Sequence, residues 1–496
     1  MAVPKVCGIE TEFGIAARGV DLGPMAASSM LVLAHSGGLA PVGWDFAAER
    51  PGSDVRGFDL SDHGAACTEP HLVNTVLANG ARFYVDHAHP EYSSPECRDA
   101  LEVVTWDRAG EEIVRSAMAR AASALPEGAE LIAYKNNSDG KGNSYGCHEN
   151  YLLDRGIPFA HVVRGATPHL VSRQVFCGAG KVGSEAGSSV EFQISQRPDF
   201  IEEEVGLETT IRRPIVNTRD EPHADPALWR RLHVILGDAN MSENATMLKV
   251  GTTAIVLAMI EDGVFPDGLE LEDPVSSNRT ISADPTLTAT VRLARGGRIS
   301  ALDLQRRIHA AARSWATRCG LESVGGDDVG TRILDGWESV LDSLGGDQSF
   351  AARVVDWVAK RRIIDAHCAR HGHHPTSPSA RAIDLQYHDL RPDRGLAARA
   401  GMLRVADDDA VARAIVSPPP STRAYLRGSV IGRWPAAILS CNWDGMVIAL
   451  NGDRTVRIGL DDPLAWSADR AAEMLAGCAT PEDLVRSVGA HRPLDR

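Results

Sequence analysis

Two glutamates lie close together in an otherwise apolar stretch near the start of the chain, Cys-Gly-Ile-Glu-Thr-Glu-Phe-Gly-Ile at residues 7–15. In a β-strand alternate side chains share a face, so Glu10 and Glu12 would lie on one face, about 6.6 Å apart. Neighbouring like charges repel each other unless a cation lies between them. Because Mg²⁺ takes oxygen ligands from one or two carboxylates and from phosphates, the pair predicts either a nucleotide–Mg²⁺ site or a solvent-exposed strand face.

A second stretch, Ala-Arg-Phe-Tyr-Val-Asp at residues 81–86, alternates apolar and polar side chains. This period of two predicts a β-strand with Arg82, Tyr84 and Asp86 on one face. A fixed cation, a phenol and a carboxylate in a row are typical of a wall that faces phosphate and metal. At the end of the strand, Asp86 is the candidate general base or nucleophile, and the alternative is a surface aspartate that merely ends the strand.

Three later stretches supply further candidates. Glu91 and Glu96 follow in a proline-containing loop and are predicted to turn back to the same metal. His148 follows a Gly/Asn/Ser-rich turn that runs into a strand, where it could contact phosphate or a second metal. Three arginines could clamp phosphate or carboxylate groups with paired hydrogen bonds: Arg219, Arg230 and Arg231. For the last two, a solvent-exposed helix face is an equal alternative.

The composition excludes several classes of partner. The 496 residues carry a net charge of −15 and no basic stripe, which argues against nucleic acid as a partner. No stretch reaches the roughly 18 uninterrupted apolar residues that a membrane span needs, and no signal-peptide pattern is found. The nine cysteines are scattered without a CxxC pair. Neither a disulfide framework nor a zinc ribbon is indicated, and a reducing cytoplasm is expected.

The order of the elements indicates how these residues are positioned. Strand patterns gather early in the chain and helical patterns gather later, which predicts an α+β fold with a largely antiparallel sheet. Residues 36–79 are rich in Gly, Pro, Asp and Ser, and a loop of this length is typical of a lid or a binding segment. A helix is expected over residues 99–124, with Asp99 as its cap.

The best domain boundary is Ser-Pro-Pro-Pro-Ser at residues 417–421, because its three prolines cannot continue a helix. This boundary separates residues 1–416, which contain the candidate metal and catalytic residues, from a small mixed domain of residues 417–496. The long insertion at 36–79 falls within the larger domain.

Six motifs follow one another along essentially the whole chain: GIETEFG, NGARFYVDHAHPEY, KNNSDGKGNSYGCHENY, NTRDEPHAD, RRLHVILGDANMSENATMLKVGTTA and TRAYLRG. Together they resemble the Pup ligase and Pup deamidase/depupylase family of actinobacteria, which is related to glutamine synthetase. The resemblance implies a large glutamine-synthetase-like domain, in which helices back a mostly antiparallel curved sheet, and a small C-terminal domain.

The family has two activities. A ligase uses ATP to join the C-terminal glutamate of the small protein Pup to a lysine of a substrate protein. A deamidase/depupylase hydrolyses the C-terminal glutamine of Pup and removes Pup from pupylated proteins. The insertion, with Arg-Gly-Phe-Asp-Leu at 56–60, and the spacing of Val-Asp-His-Ala-His-Pro-Glu resemble the second branch. The chain is therefore expected to be an amidohydrolase, with an ATP-consuming Pup–protein ligase as the alternative.

The resemblance also implies roles for particular residues. The implied Mg²⁺ ligands are Glu10, Tyr84 and Glu91, with Glu12 as a helper. The implied contacts to ATP are Arg82, Ser94 and Trp443, the last by stacking on the base. Asp86 is the implied catalytic residue, either as nucleophile or as base. In the deamidase branch ATP is required but is not consumed in each turnover, so bound ADP and phosphate can form part of the working site.

Overall fold

The computed structural model describes residues 1–36, 42–60, 73–187, 189–451, 454–489 and 492–493. Nineteen β-strands lie within these residues: β1 (Cys7–Glu12), β2 (Gly14–Arg18), β3 (Gly43–Trp44), β4 (Asn74–Val76), β5 (Arg82–Asp86), β6 (His89–Ser93), β7 (Glu130–Tyr134), β8 (Cys147–Asp154), β9 (Lys181–Val182), β10 (Phe192–Gln193), β11 (Ile201–Gly206), β12 (Arg213–Asn217), β13 (Trp229–Val234), β14 (Thr290–Arg292), β15 (Arg298–Ser300), β16 (Ile438–Cys441), β17 (Gly445–Leu450), β18 (Arg454–Gly459) and β19 (Arg492–Pro493). Fifteen α-helices lie within the same residues: α1 (Pro24–Ser36), α2 (Ala100–Ala122), α3 (Phe159–Ser172), α4 (Gln174–Cys177), α5 (Glu243–Glu261), α6 (Pro274–Ser282), α7 (Ala301–Cys319), α8 (Gly326–Gly345), α9 (Asp356–His371), α10 (Pro378–Tyr387), α11 (Leu396–Arg399), α12 (Asp408–Ala414), α13 (Ala424–Arg433), α14 (Ala468–Gly477) and α15 (Pro481–Val488).

A six-stranded antiparallel sheet, in the order β13-β8-β1-β6-β5-β4, carries most of the candidate site residues. Strand β1 pairs with β6 on one side and with β8 on the other. This register sets Glu12 opposite Glu91 and Glu10 opposite His148. The helices gather in the second half of the chain, so the expected α+β fold with a mostly antiparallel main sheet is confirmed.

The alternation of side chains along β5 decides which face of the sheet is packed. Phe83 and Val85 are buried in a core that they share with helices α1 and α2. Arg82, Tyr84 and Asp86 lie on the opposite face. The sheet therefore has one dry face against helices and one polar face that opens into a cleft.

Helix α2 covers the packed face of the sheet and begins where the sequence predicts. The side chain of Asp99 accepts hydrogen bonds from the backbone N–H groups of Leu101 and Glu102, at 2.8 and 3.0 Å. These bonds satisfy two of the amides that a helix leaves without partners at its first turn. The helix expected over 99–124, with Asp99 as its cap, is thereby confirmed.

A larger core surrounds helix α5, whose side chains are buried nearly all around. Helices α2, α3, α7 and α8 pack against it. A helix that is buried on all sides must be enclosed by other elements, and these helices form much of the enclosure. None of the helices in the described part of the chain combines the length and the hydropathy that crossing a membrane requires.

The end of the chain has its own core, which residues from the insertion complete. Most of the buried side chains come from residues 426–484, and Val42, Trp44 and Val76 join them. Strand β3 pairs in parallel with β16, so the insertion adds a strand to the sheet β19-β18-β17-β16-β3. The boundary at residue 417 stays a prediction.

The insertion at 36–79 is more regular than the loop predicted for it, because β3 and β4 lie inside it. Residues 37–41 and 61–72 lie outside the described residues. The motif at 56–60 is described, and its Arg56 guanidinium donates to the Asp54 carboxylate at 2.7 and 2.8 Å. Asp54 also accepts a hydrogen bond from the Thr218 hydroxyl, which fastens this part of the insertion to the segment after β12.

Candidate active site

The polar face of the six-stranded sheet lines a cleft of about 830 Å³. Residues from five strands line it, β1, β5, β6, β8 and β13, together with residues of the insertion and Trp443. The cleft is lined by most of the residues that the sequence singled out: Glu10, Arg82, Tyr84, Asp86, Glu91, His148, Arg219, Arg231 and Trp443. The fold therefore brings separate stretches of the chain together around one space.

Three carboxylates converge where Asp86 and Glu91 line the cleft. Oxygen atoms of Glu12, Asp86 and Glu91 lie within 4.8 Å of one another. Burial, and then the charges of Asp86 and Glu12, raise the pKa of Glu91 well above its usual range. Oxygen donors are the ligands that Mg²⁺ prefers, and a cation among them would relieve the repulsion. The donor set therefore fits Mg²⁺.

A second group of possible ligands combines one carboxylate with two imidazoles. A carboxylate oxygen of Glu10 and ring nitrogens of His148 and His233 lie within 4.8 Å of one another. Burial, with a smaller contribution from Arg231, lowers the pKa of His233 well below its usual range. Burial opposes the ionisation of Glu10, but His148 and His233 outweigh it and hold the pKa of Glu10 well below its usual range. The two glutamates of β1 therefore belong to two neighbouring groups, which His148 joins, because its Nε2 also lies 3.8 Å from Oε1 of Glu12.

Asp86 ends β5 beside a histidine with an unusual backbone conformation. The Nδ1 atom of His87 lies 2.9 Å from Oδ2 of Asp86. The φ of His87 is 52°, in the left-handed region that few residues other than glycine adopt. Burial opposes the ionisation of Asp86, but His87 outweighs it and lowers the pKa of Asp86. The carboxylate is ionised at neutral pH, as a general base or nucleophile must be.

The guanidinium of Arg82 is held between two aromatic rings. It lies 3.8 Å from the centre of the Tyr84 ring and 4.0 Å from that of Trp44. Its Nε donates to Oδ1 of Asn74 at 3.0 Å. Burial, with a smaller contribution from Glu91, raises the pKa of Tyr84 well above its usual range, so the phenol keeps its proton. Arg82 is thus pre-organised for an anion such as phosphate, and the metal role of Tyr84 stays a prediction.

Two of the three candidate arginines line the cleft. Arg231 and His233 are two residues apart in β13 and both face the cleft. Arg230 faces the other side of the strand, where it donates a hydrogen bond to the carbonyl of Ile157 at 2.8 Å. Arg219 also lines the cleft, and its Nε is buried without a hydrogen-bond partner among the described residues. The prediction of a clamp is therefore wrong for Arg230. The alternative of a helix face is wrong for the pair, because both residues lie in a strand.

A smaller, mainly apolar cavity adjoins the cleft and shares the ring of Trp443 with it. Ser94 lines this cavity. Its hydroxyl accepts a hydrogen bond from the N–H of Ile9 at 3.0 Å and donates to the carbonyl of Pro95 at 3.2 Å. An aromatic ring beside an apolar cavity is suited to stacking on a nucleotide base. The contacts of Ser94 and Trp443 with ATP stay predictions.

Glu96 does not reach the carboxylate cluster. It accepts a hydrogen bond from Nε of Arg423 at 2.8 Å, and both of its oxygens pair with the guanidinium of Arg427. Burial opposes its ionisation, but these two guanidiniums outweigh it and lower the pKa of Glu96 to about 2. The prediction that Glu96 turns back to the metal is therefore wrong. The expected loop around Glu91 is also wrong, because β6 pairs with β1 there and sets Glu91 opposite Glu12.

Comparison with known proteins assigns the family. A model of the family described as Pup-ligase protein matches residues 5–447. A curated relative from Acidothermus cellulolyticus, named Depupylase, is 46% identical and the match covers 98% of this chain and 100% of the relative. A Pup–protein ligase from Nakamurella multipartita is 42% identical, and the match covers 81% of this chain and 90% of the relative. The chain belongs to the Pup-ligase family, which confirms the resemblance carried by its motifs.

Solved structures of the ligase PafA share the fold. The ligase in the complex between Pup and PafA matches with a TM-score of 0.78 at 30% identity, over 99% of both chains. PafA in complex with ADP matches with a TM-score of 0.74 at 34% identity, over 84% of this chain and 90% of that chain. These matches confirm the glutamine-synthetase-like fold that the resemblance implied.

Two residues of the site are not singled out by sequence reasoning. His233 alternates with Arg231 in Trp-Arg-Arg-Leu-His-Val, and this period of two is the signal that could have found it. Trp44 lies in a segment without periodicity, and nothing local indicates its contact with Arg82. His233 can be predicted from a strand pattern, whereas the role of Trp44 depends on a tertiary contact.

Proposed function

We propose that this protein is a Pup deamidase/depupylase, which hydrolyses the C-terminal glutamine of Pup to glutamate and cleaves Pup from the lysines of pupylated proteins. The observation that carries the proposal is the match to a relative named Depupylase, which is 46% identical over 98% of the chain, whereas the curated relative named as a ligase is 42% identical over 81% of it. The insertion resembles that of the same branch, and its Trp44 packs on Arg82, which lines the cleft.

The proposed cofactors are Mg²⁺ and ATP, or ADP with phosphate. The adenine base of the nucleotide would lie in the adjoining cavity, against Trp443 and near Ser94. Its phosphates would lie near Arg82. The solved complex of PafA with ADP supports a nucleotide in this family. The proposed Mg²⁺ ligands are Glu10, Glu12, Tyr84 and Glu91. The convergence of His148 and His233 with Glu10 supports a second cation position.

Asp86 is the proposed catalytic residue. Its ionised carboxylate can attack the γ-carbonyl of the glutaminyl residue, or it can take a proton from a water molecule that attacks there. In both routes negative charge develops on the carbonyl oxygen as the nucleophile adds, and it returns to the carbonyl bond as the C–N bond breaks. The leaving nitrogen takes up a proton, from Asp86 in the base route and from solvent in the nucleophile route. In the nucleophile route, water then hydrolyses the anhydride between Asp86 and the glutamyl group. Arg219 and Arg231 offer positive charge in the cleft that Asp86 also lines. Mg²⁺, when bound, supplies further positive charge to the phosphates and the developing oxyanion.

One site can serve both substrates because the bonds to be broken are alike. The terminal amide of glutamine and the isopeptide to lysine share the same γ-carbonyl carbon and differ only in the leaving nitrogen. Ammonia leaves in the first case, and the side-chain amine of lysine leaves in the second. We therefore expect a change at Asp86 to abolish both activities together.

The test is to incubate the protein with glutamine-terminated Pup, ATP and Mg²⁺, and to follow ammonia and ADP. We expect ammonia to be released without a matching amount of ADP. A pupylated protein offered under the same conditions should release free Pup and the unmodified protein. Absence of both reactions would contradict the proposal.

The second candidate function is that of an ATP-consuming Pup–protein ligase, which the 42% identity to a ligase favours. It predicts that glutamate-terminated Pup, a lysine-bearing protein and ATP yield a conjugate and one ADP for each bond. Conjugates without ammonia release from glutamine-terminated Pup would establish this alternative in place of the first.

The proposed partners are Pup and pupylated proteins, and the proposed location is the cytoplasm. The eight cysteines within the described residues are all free thiols, as expected for a reducing compartment. Cell fractionation, with a cytoplasmic and a membrane marker, checks the location.

A further inference from the structure

Arg197 is a buried arginine near the carboxylate cluster, and it has no acidic partner within the part of the chain that the structure describes. Its side chain is about 1% exposed. Its Nη1 donates to Oγ of Ser144 at 2.7 Å and to the carbonyl of Tyr145 at 3.0 Å, and its Nη2 donates to the carbonyl of Ile235 at 2.8 Å. It forms no ion pair with the described residues. A buried charge that is compensated only by neutral oxygens is costly, so its position calls for a reason.

The peptide group between Tyr145 and Gly146 connects Arg197 to Glu12. The carbonyl of this peptide accepts the hydrogen bond from Arg197, and its N–H donates to Oε1 of Glu12 at 2.9 Å. The C=O and N–H of a trans peptide point in opposite directions, so one rigid plane lies between the cation and the carboxylate. The negative end of its dipole faces Arg197 and the positive end faces Glu12, so the two contacts strengthen each other.

Neighbouring contacts prevent this peptide from turning. The Nδ2 of Asn137 donates to the same carbonyl at 3.1 Å. The N–H of Glu12 donates to the carbonyl of Gly146 at 3.1 Å, so β1 holds the following peptide as well. A Cβ at Gly146 would lie 2.1 Å from Nε2 of His148, so only glycine leaves room for that ring. The Tyr145–Gly146 peptide group, whose N–H contacts Glu12, is therefore held in place by contacts on both of its sides.

We propose that Arg197 is a positioning residue, which holds the Glu12 carboxylate in the orientation needed for divalent-cation binding and acts through the Tyr145–Gly146 peptide. This inference rests on the role proposed above for Glu12 at the metal. Groups that orient a metal ligand typically contribute about 10- to 100-fold to metal affinity. Arg197 touches neither the cleft lining nor the reacting groups, so its effect should appear in metal affinity.

The experiment uses Mn²⁺ as the probe and the full chain without nucleotide, with free Mn²⁺ measured by electron paramagnetic resonance. We expect Arg197→Met to raise the Mn²⁺ Kd about tenfold. The charge-retaining variant Arg197→Lys should raise the Kd about threefold, since an ammonium cannot hold the carbonyls of Tyr145 and Ile235 together. Ser144→Ala is the matched control, because it removes one bond of Arg197 and the bond from the Ser144 hydroxyl to the carbonyl of Asn137, and leaves the bond from Arg197 to the Tyr145 carbonyl in place.

A double-mutant cycle with Glu12→Gln separates positioning from a purely structural role. If Arg197 acts through Glu12, its replacement changes the Mn²⁺ Kd in the wild-type background and not in the Glu12→Gln background. An equal rise in the Mn²⁺ Kd on replacing Arg197 in both the wild-type and the Glu12→Gln backgrounds would overturn the proposal. Thermal unfolding checks each variant, and Arg197→Lys takes the place of Arg197→Met in the cycle if the latter does not fold.

The failure of this inference can be told apart from the failure of the proposed function. Wild-type Mn²⁺ affinity in a folded Arg197→Met or Glu12→Gln protein would overturn the positioning role, even if ammonia is released from Pup. Absence of ammonia release would contradict the proposed function, while the Mn²⁺ cycle would still decide the role of Arg197.

Discussion

The guanidinium of Arg82 lies 4.0 Å from the centre of the Trp44 ring. Trp44 belongs to the insertion, and its strand β3 is joined to the C-terminal sheet through β16. Its ring also meets that of Trp443 edge-to-face, with 5.2 Å between the ring centres. Trp44 of the insertion thus contacts both Arg82, which is proposed to bind the phosphates of the nucleotide, and Trp443, which is proposed to stack on its adenine base.

Replacing Trp44 with alanine should weaken nucleotide binding. A desolvated cation–π contact contributes about 1–2 kcal/mol, so we expect the KM for ATP to rise about 5- to 30-fold. The value of kcat should change little, because Arg82 itself is retained. Steady-state kinetics of ammonia release measure both quantities.

The matched control for Trp44 is Trp434→Ala. The guanidinium of Arg433 lies 4.6 Å from the Trp434 ring, so this variant removes a similar stack outside the cleft. Its KM for ATP should equal that of the wild type. An unchanged KM in Trp44→Ala, or an equal rise in both variants, would contradict the role given to Trp44.

Asp86→Asn should abolish hydrolysis while the protein still folds and binds nucleotide. The amide keeps the shape of the side chain and loses the negative charge that a base or nucleophile needs. We expect the rate of ammonia release to fall at least about 100-fold, and the release of Pup from a conjugate to fall equally. Nucleotide binding, measured by calorimetry, should stay within about threefold of the wild type.

Asp154→Asn is the control for Asp86→Asn. Asp154 also ends a strand, and it accepts a hydrogen bond from the N–H of Gly156 at 2.7 Å without lining the cleft. This variant should hydrolyse at the wild-type rate. Full activity in Asp86→Asn would show that another residue carries the chemistry.

Glu91→Gln should stabilise the metal-free protein at neutral pH. The pKa of Glu91 is raised by burial and by neighbouring carboxylates, so the folded state holds its proton more tightly than the unfolded state does. The stability that this group contributes is fully present below about pH 4.3 and is lost as the pH rises through the raised pKa. Each pKa unit corresponds to about 1.4 kcal/mol of folding free energy.

Thermal unfolding in EDTA at pH 5 and at pH 8 measures this effect. The advantage of Glu91→Gln over the wild type should be larger at pH 8. With Mg²⁺ and nucleotide in excess the order should reverse, because the variant has lost a ligand. A metal-free variant that is less stable than the wild type at pH 8 would contradict the prediction.

Glu96→Gln should destabilise the protein at neutral pH by breaking a buried ion pair. The two guanidiniums lower the pKa of Glu96 to about 2, so its contribution is present above about pH 4.3 and is lost as the pH falls toward 2. We expect a loss of about 3 kcal/mol at pH 7 and a smaller loss at pH 3, measured by urea unfolding.

The control is Glu338→Gln, which removes an exposed pair with Arg313. Exposed pairs contribute less than about 1 kcal/mol, so this variant should differ little from the wild type at either pH. If Glu96→Gln lowers the free energy of unfolding equally at pH 3 and pH 7, the loss would be due to packing and not to the ion pair.

Local patterns in the sequence predict the strands and helices that build the site. The alternation in residues 81–86 predicts a dry face and a polar face, because period-two placement follows from strand geometry alone. Asp99 predicts the start of α2, because a cap acts on amides only two and three residues away. The ordered motifs identify the family and, through it, the fold.

The grouping of the side chains cannot be predicted in the same way. Glu10 and Glu12 share a face of β1, yet Glu12 meets Asp86 and Glu91 while Glu10 meets two histidines from β8 and β13. Glu96 lies only five residues beyond Glu91 and pairs with Arg423, just before α13, and with Arg427 of α13 instead of a metal. These outcomes depend on strand register and helix docking, which join residues far apart in the chain.

The sequence by itself determined the family, the fold class and the polar faces of the strands, because each is encoded in residue order or in contacts over a few positions. Only the tertiary structure decided that Trp44 covers Arg82, that Arg230 faces away from the cleft and that a peptide links Arg197 to Glu12. Each of these is a contact between separate segments, and its partner is chosen by how the sheet and helices pack.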